Sequence, residues 1–276
     1  MAAHTGLPFM KMHGLGNDFV VIDARVVARV VDAALARALA DRHRGVGCDQ
    51  VAVITGDAEA DLALTFFNAD GSESGACGNA TRCIARHEML ATGKTALTLR
   101  TGRGLLQAVD AGDGLTSVNM GQPVTDPAGI PLKGAVDTLH LPIDGGPVAT
   151  GMGNPHCTFF VEDAEAVDLA ALGPTYEHHP LFPERTNVQF ASLAGPDRLR
   201  VRVWERGAGV TLASGSSSCA VAVSAARRGI TGRRVTILLD GGEIAVDWRE
   251  DGVWMTGPTM HVFSGVLTAE FLRGLA

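Results

Sequence analysis

The chain has 276 residues, 46% of them apolar, and a net charge of −7. That length allows two ordinary domains with a sizeable core, and the acidic balance, without a Lys/Arg run, argues against nucleic-acid and anionic-membrane partners. No apolar run approaches the ~20 residues of a membrane helix, and the opening MAAHTGLPFMKM lacks a secretory leader pattern. Five cysteines make no disulfide framework in a chain this long and fit a reducing compartment, the cytoplasm.

The first half reads as short strands at FMKMHG (9–14), FVVIDA (19–24), VAVIT (51–55) and DLALTFF (61–67). A helix is expected over Asp32–His43 with Asp32 as its cap, and a second over Asn79–Thr92, closed by Gly93. ALTLR (96–100), LLQAVD (105–110) and LTSVNM (115–120) follow as strands broken by glycine. Residues 121–134, GQPVTDPAGIPLKG, have three prolines and no periodicity and read as a linker. The second half runs similarly: a strand from Pro155, a helix near AEAVDLAAL (164–172), strands at 186–191 and 199–205, a helix after Ser214, then three strands up to Gly257. The stretch EHHP (177–180) reads as a solvated loop.

A shift of 137 positions superimposes the two halves. Gly16-Asn17 then meets Gly153-Asn154, Gln50 meets Asn187, Asn68 meets Glu205, and Ala76-Cys77-Gly78 meets Ala213-Ser214-Gly215. A common offset at separate landmarks in the same order points to duplication. The expected fold is therefore α+β with two pseudo-symmetric lobes: residues 1–121, with 264–276 crossing back to join them, and residues 122–263.

The duplicated CGN and SGS turns place small residues where the first N–H groups of a helix point outward, a ready anion site. The positive helix end also lowers the pKa of a thiol, so Cys77 is a candidate reactive thiol; the alternative is a buried small residue. Asn17, Gln50, Asn68, Asn154 and Asn187 fall at strand ends or turns. Glu205-Arg206 reads either as a surface pair or as a proton-handling carboxylate beside a bidentate carboxylate clamp. His156, in MGNPHC, is placed to tune a thiol or to serve structure. HGLGND lacks the strand–GxGxxG–helix frame of a dinucleotide site, and CGNATRC has no second cysteine pair at zinc spacing, so neither a nucleotide cofactor nor a metal is expected.

The stretches KMHGLGNDFVVID, FNADGSESGACGNATRC, MGNPHC, FPERTNVQF and WERGAGVTLASGSSSC resemble the diaminopimelate epimerase family across nearly the whole chain. The resemblance implies two lobes, each a sheet wrapped round a central helix, with the site in the cleft between them. It implies a cofactor-independent, cytoplasmic enzyme of lysine biosynthesis that interconverts LL- and meso-diaminopimelate, and a homodimer. One cysteine thiolate takes the Cα proton from one face while a second thiol delivers a proton to the other. Carried over, the first thiol is Cys77, and His156 and Glu205 assist the two thiols. Asn17, Gln50, Asn68, Asn154, Asn187, Glu205 and Arg206 contact substrate, and the backbone of Gly78, Asn79, Gly215 and Ser216 holds the reacting carboxylate.

Two positions depart from the family pattern, and Ala80 in place of a usual Gly is the milder. Ser214 stands where the second cysteine belongs, and a hydroxyl is a far weaker acid than a thiol. Interconversion should be strongly reduced and binding retained. With every other contact residue intact, an engineered replacement is favoured over a natural one. A related amino acid racemase, a hydroxyproline dehydratase and a non-catalytic diaminopimelate-binding protein are the competing readings. Cys83 and Cys219, well inside their helices, are expected to face the core.

Overall fold

The computed structural model describes residues 6–27 and 29–275. The leader reading therefore falls partly on residues 1–5, outside the described residues. Two compact units emerge, one running to Val118 and resuming at Pro258, the other Asn119–Gly257.

The first unit begins with β1 (Leu7–Gly14) and β2 (Asn17–Asp23), an antiparallel hairpin. Its two-residue turn has positive φ at both Leu15 (56°) and Gly16 (83°), the type I′ geometry that matches strand twist. α1 (Ala33–Ala40) follows, with the Asp32 carboxylate accepting from Leu35 N. Then come β3 (Gln50–Thr55), β4 (Leu62–Asn68), the short β5 (Glu73–Ser74), α2 (Gly78–Thr92), β6 (Ala96–Thr101), β7 (Gly104–Gly112) and β8 (Leu115–Asn119). β2 pairs parallel with β3 and β4 parallel with β6, while the other neighbours are antiparallel. α2 is buried continuously from Gly78 to Ala85, the mark of a core helix rather than a surface one, and packs on β1, β2, β6 and β7.

The second unit repeats this order: β9 (Val148–Gly151), β10 (Pro155–Phe160), α3 (Leu169–Glu177), β11 (Asn187–Gly195), β12 (Arg198–Glu205), β13 (Gly209–Thr211), α4 (Gly215–Arg227), β14 (Arg234–Leu239), β15 (Gly242–Arg249) and β16 (Gly252–Pro258). The parallel pairs recur at β10–β11 and β12–β14. α4 is buried from Ser217 to Ala225, and its small residues let β9, β10, β11, β14 and β15 approach closely. Its buried serines find partners: Ser218 Oγ donates to Ser214 O at 2.8 Å, and Ser224 Oγ meets Thr150 Oγ1 at 2.9 Å. Under α3, Phe159 stacks on Phe190 at 4.9 Å and Tyr176 lies 4.4 Å from Phe159.

β17 (Met260–Leu267) and α5 (Ala269–Arg273) complete the first unit, β17 pairing antiparallel with β1. The returning segment thus starts at Pro258 rather than residue 264, because β17 already needs its partner from Met260 onward. Likewise the second unit begins at Asn119 rather than residue 122. A second correction concerns α3. The helix expected over 164–172 lies instead at Leu169–Glu177, capped by Asp168 and running through Gly173-Pro174, a dipeptide that reads as a breaker in sequence.

Candidate active site

Cys77 and Ser214 occupy the N-cap positions of α2 and α4 with nearly the same backbone, φ −141°, ψ 105° and φ −137°, ψ 118°. The side chains behave differently. Cys77 Sγ accepts from Ala80 N at 3.4 Å, whereas Ser214 makes no capping hydrogen bond, although serine is among the best capping residues. Cys77 is partly exposed and Ser214 is buried. Helix geometry leaves the N–H groups of Gly78 and Asn79, and of Gly215 and Ser216, without acceptors in their own helices.

In the first unit the remaining candidates form two bonded pairs. Gln50, at the start of β3, faces Asn68, at the end of β4, in register, and its Nε2 donates to Asn68 Oδ1 at 2.9 Å. Asn79 Nδ2 donates to Asn17 Oδ1 at 3.1 Å, and Asn17 Nδ2 donates to Asp49 Oδ2 at 2.8 Å. Arg42 anchors Asp49 and also Asp18. Burial pushes the Asp18 carboxyl up, but hydrogen bonds from Arg42 and Lys11 outweigh it and hold Asp18 below the usual range. Asn79 is 2% exposed and its Oδ1 is a buried acceptor with no hydrogen-bond partner among the described residues. A buried acceptor left without a partner costs about 1–3 kcal/mol. Gly14 gives this corner its room, since a Cβ there would meet the buried Arg82 Nη2 at 2.8 Å and Asn79 Cβ at 3.4 Å.

In the second unit His156 is wholly buried. Its Nδ1 faces Gln189 Nε2 at 3.0 Å and its Nε2 faces Asn154 Oδ1 at 2.9 Å. Asn187 receives the backbone N–H of Arg206 on Oδ1 at 3.0 Å and donates from Nδ2 to Pro155 O at 3.0 Å. Arg206 Nη1 donates to Glu184 O at 2.9 Å, and Glu205 closes β12 just before the turn, Ala208 N donating to its carbonyl at 3.0 Å.

The first unit thus gathers Asn17, Gln50, Asn68, Cys77, Gly78 and Asn79; the second gathers Asn154, His156, Asn187, Glu205, Arg206, Ser214, Gly215 and Ser216. Three residues that hold them escaped the sequence reading. Gln189 sits two positions from Asn187 on β11, so both amides lie on one strand face, a pattern visible in TNVQF. Asp49 directly precedes Gln50. Glu177, read as part of a solvated loop, is instead 3% exposed.

The other thiols are structural. Burial pushes Cys48 up to about 11 and Cys83 up to about 12, and raises Cys157 further. Cys219 is fully buried. All five cysteines are present as thiols rather than disulfides.

The fold places the chain among small α+β proteins built from a duplicated unit. A phenazine biosynthesis protein of the PhzF family from Bacillus anthracis matches over 95% of this chain and 99% of that one, with a TM-score of 0.69 and 13% identity. A hydroxyproline epimerase structure from Agrobacterium vitis matches with a TM-score of 0.68 and 16% identity, over 98% of this chain and 94% of that one. At such identities the likeness concerns fold alone. Sequence goes further: residues 9–125 and 148–262 match the diaminopimelate epimerase family. The diaminopimelate epimerase of Rhodospirillum centenum is 53% identical over 96% of this chain and 94% of its own length. That of Acidiphilium cryptum is 52% identical over 96% and 98%. The chain belongs to the diaminopimelate epimerase family.

Proposed function

We propose that the protein is an isomerase acting on diaminopimelate at Cα without a cofactor, within lysine biosynthesis, and that it carries one of the two thiols such a reaction uses. The observation that supports this reading best is the pair of equivalent N-caps, Cys77 and Ser214, inside a chain of this family. Inversion needs a proton taken from one face of Cα and another delivered to the opposite face. A thiol at a helix N-terminus, with a reference pKa of ~8.5 that the positive helix end lowers, suits the base. A serine hydroxyl is poorly matched to proton transfer near neutral pH, where efficiency follows the pKa of the group.

In this reading the open N–H groups at Gly78, Asn79, Gly215 and Ser216 bind the reacting carboxylate. The carboxamides of Asn17, Gln50, Asn68, Asn154 and Asn187, with Glu205 and Arg206, select a substrate whose far end is also an amino acid. His156 and Glu205 serve the residues at the two N-caps.

Exchange in heavy water tests the assignment. Cys77 alone should exchange the α-proton of one diaminopimelate stereoisomer with solvent, with little inversion. Exchange with proline-type amino acids and not with diaminopimelate would favour a related racemase or dehydratase. Tight binding without exchange would favour a binding protein.

The same reading includes a homodimer in the cytoplasm. Met260, Val262, Phe263 and Val266 of β17 are each about half exposed, an apolar strand suited to meeting a second copy, and the five thiols suit a reducing compartment. Sedimentation at micromolar concentration distinguishes dimer from monomer.

A further inference from the structure

Glu177 is the last residue of α3, and its carboxylate is nearly sealed from solvent. The C-terminal end of a helix is the negative end of its dipole, and a buried carboxylate is cut off from water, so its oxygens need donors from the protein. Compensation comes from three donors. Trp204 Nε1 reaches Oε2 at 2.7 Å, Gly207 N reaches Oε1 at 2.9 Å, and Arg185 Nη1 reaches Oε1 at 3.4 Å.

Two of those donors bracket Glu205-Arg206, one immediately before the pair and one immediately after. The backbone carbonyl of Glu177 also accepts from Thr186 N at 3.2 Å, the residue before Asn187. Asn187 Oδ1 in turn accepts the backbone N–H of Arg206. One residue therefore ties together the start of β11 and the turn after β12. One helical turn earlier, Gly173 lets α3 lie directly on the indole, for a Cβ there would fall 2.4 Å from Trp204 Cδ2. Gly173 and Glu177 share a helix face, and together they seat Trp204.

We propose that Glu177 is a positioning residue: its carboxylate fixes the turn that carries Glu205 and Arg206 relative to Asn187, and so sets the affinity for the end of the substrate those side chains hold. This rests on the functional reading above. A neutral amide cannot replace it, because an amide nitrogen would face either Trp204 Nε1 or the pair Gly207 N and Arg185 Nη1.

The test is Glu177→Gln in the full chain, read in three ways: amide hydrogen exchange at Arg206-Gly207, calorimetric affinity for diaminopimelate, and KM against kcat in a Ser214→Cys background. Exchange at Gly207 should accelerate, and Kd and KM should rise about ten-fold, the scale of one hydrogen bond to a charged group, with any fall in kcat smaller than that rise, since Glu205 rides on the same turn. Unchanged exchange, unchanged affinity, or a fall in kcat with KM unaltered would overturn the proposal. If Glu177→Gln does not fold, Glu177→Asp keeps the charge, withdraws the carboxylate by one carbon and is read the same way. Should the parent protein bind no diaminopimelate, the functional reading fails, and the Gly207 exchange rate alone upholds or overturns the role of Glu177 in the turn.

Discussion

Gln189 Nε2 stands 3.0 Å from His156 Nδ1 inside the second unit. The same nitrogen faces Ser217 Oγ at 3.0 Å, and Gln189 Oε1 accepts from Thr158 Oγ1 at 3.1 Å. With the amide so oriented, Nδ1 of the imidazole is an acceptor and its proton sits on Nε2, which donates to Asn154 Oδ1. Asn154 Oδ1 is thereby occupied by the imidazole. Nitrogen-15 NMR should show the Nε2–H tautomer, and Gln189→Leu, which removes a donor from two buried acceptors, should cost about 1–3 kcal/mol in urea unfolding. The Nδ1–H tautomer would contradict this arrangement.

The thiols should react in a fixed order. Cys48 and Cys83 are held protonated by burial up to about 11 and about 12, and Cys157 is raised as well. Iodoacetamide near pH 8 should therefore modify Cys77 first, with the other four, including the fully buried Cys219, labelled only on unfolding; peptide mass spectrometry reads this directly. The same burial fixes the alkaline behaviour. Above the unfolded thiol pKa the unfolded chain loses protons that the folded chain keeps, so stability falls as pH rises from about 9 towards 11, by roughly 1 kcal/mol per pH unit for each such thiol.

Asn17 is aimed by Asp49. Because Asp49 is exposed, Asp49→Ala should change unfolding stability by less than about 1 kcal/mol, yet weaken diaminopimelate binding several-fold by freeing the Asn17 carboxamide. Calorimetry and chemical denaturation separate the two effects. The neighbouring Asp18, held below the usual carboxylate range by Arg42 and Lys11 despite its burial, adds stability that is present at neutral pH. That contribution should be lost as pH falls below about 4, the unfolded carboxyl value.

Gly173→Ala should be costly although alanine is the better helix former. Its Cβ would lie 2.4–2.6 Å from three atoms of the Trp204 indole, and overpacking of this kind costs typically about 1–3 kcal/mol. Thermal unfolding gives the loss, and a shift in tryptophan emission locates it at Trp204.

The duplication was legible because it leaves residues at matched positions. Gln50 and Asn187 both open strands, Asn68 and Glu205 both close them, Gly16 and Gly153 have φ of 83° and 82°, and Cys77 and Ser214 both cap central helices. The same offset applied to α1 would have placed α3 near residues 170–177. Gly173-Pro174 hid it, since the glycine is required by Trp204 from another element and not by local conformation. Glu177 was misread for a related reason: polar neighbours suggest a loop, but its two closest donors lie 27 and 30 residues further along the chain. Gln189 is 33 residues from His156, so no local pattern reveals the tautomer it imposes. β17 was passed over because its exposed residues give no alternation of buried and solvated faces.

Ser214→Cys measures the account most directly. The backbone at residue 214 already matches that at Cys77 within a few degrees in φ, so the thiol can be introduced without refolding the cap. Conversion of LL- to meso-diaminopimelate should rise by about 10²–10⁴-fold, the scale of one positioned proton-transfer group, and Cys77→Ser in that background should abolish it. Equal rates before and after restoring the cysteine would contradict the assignment.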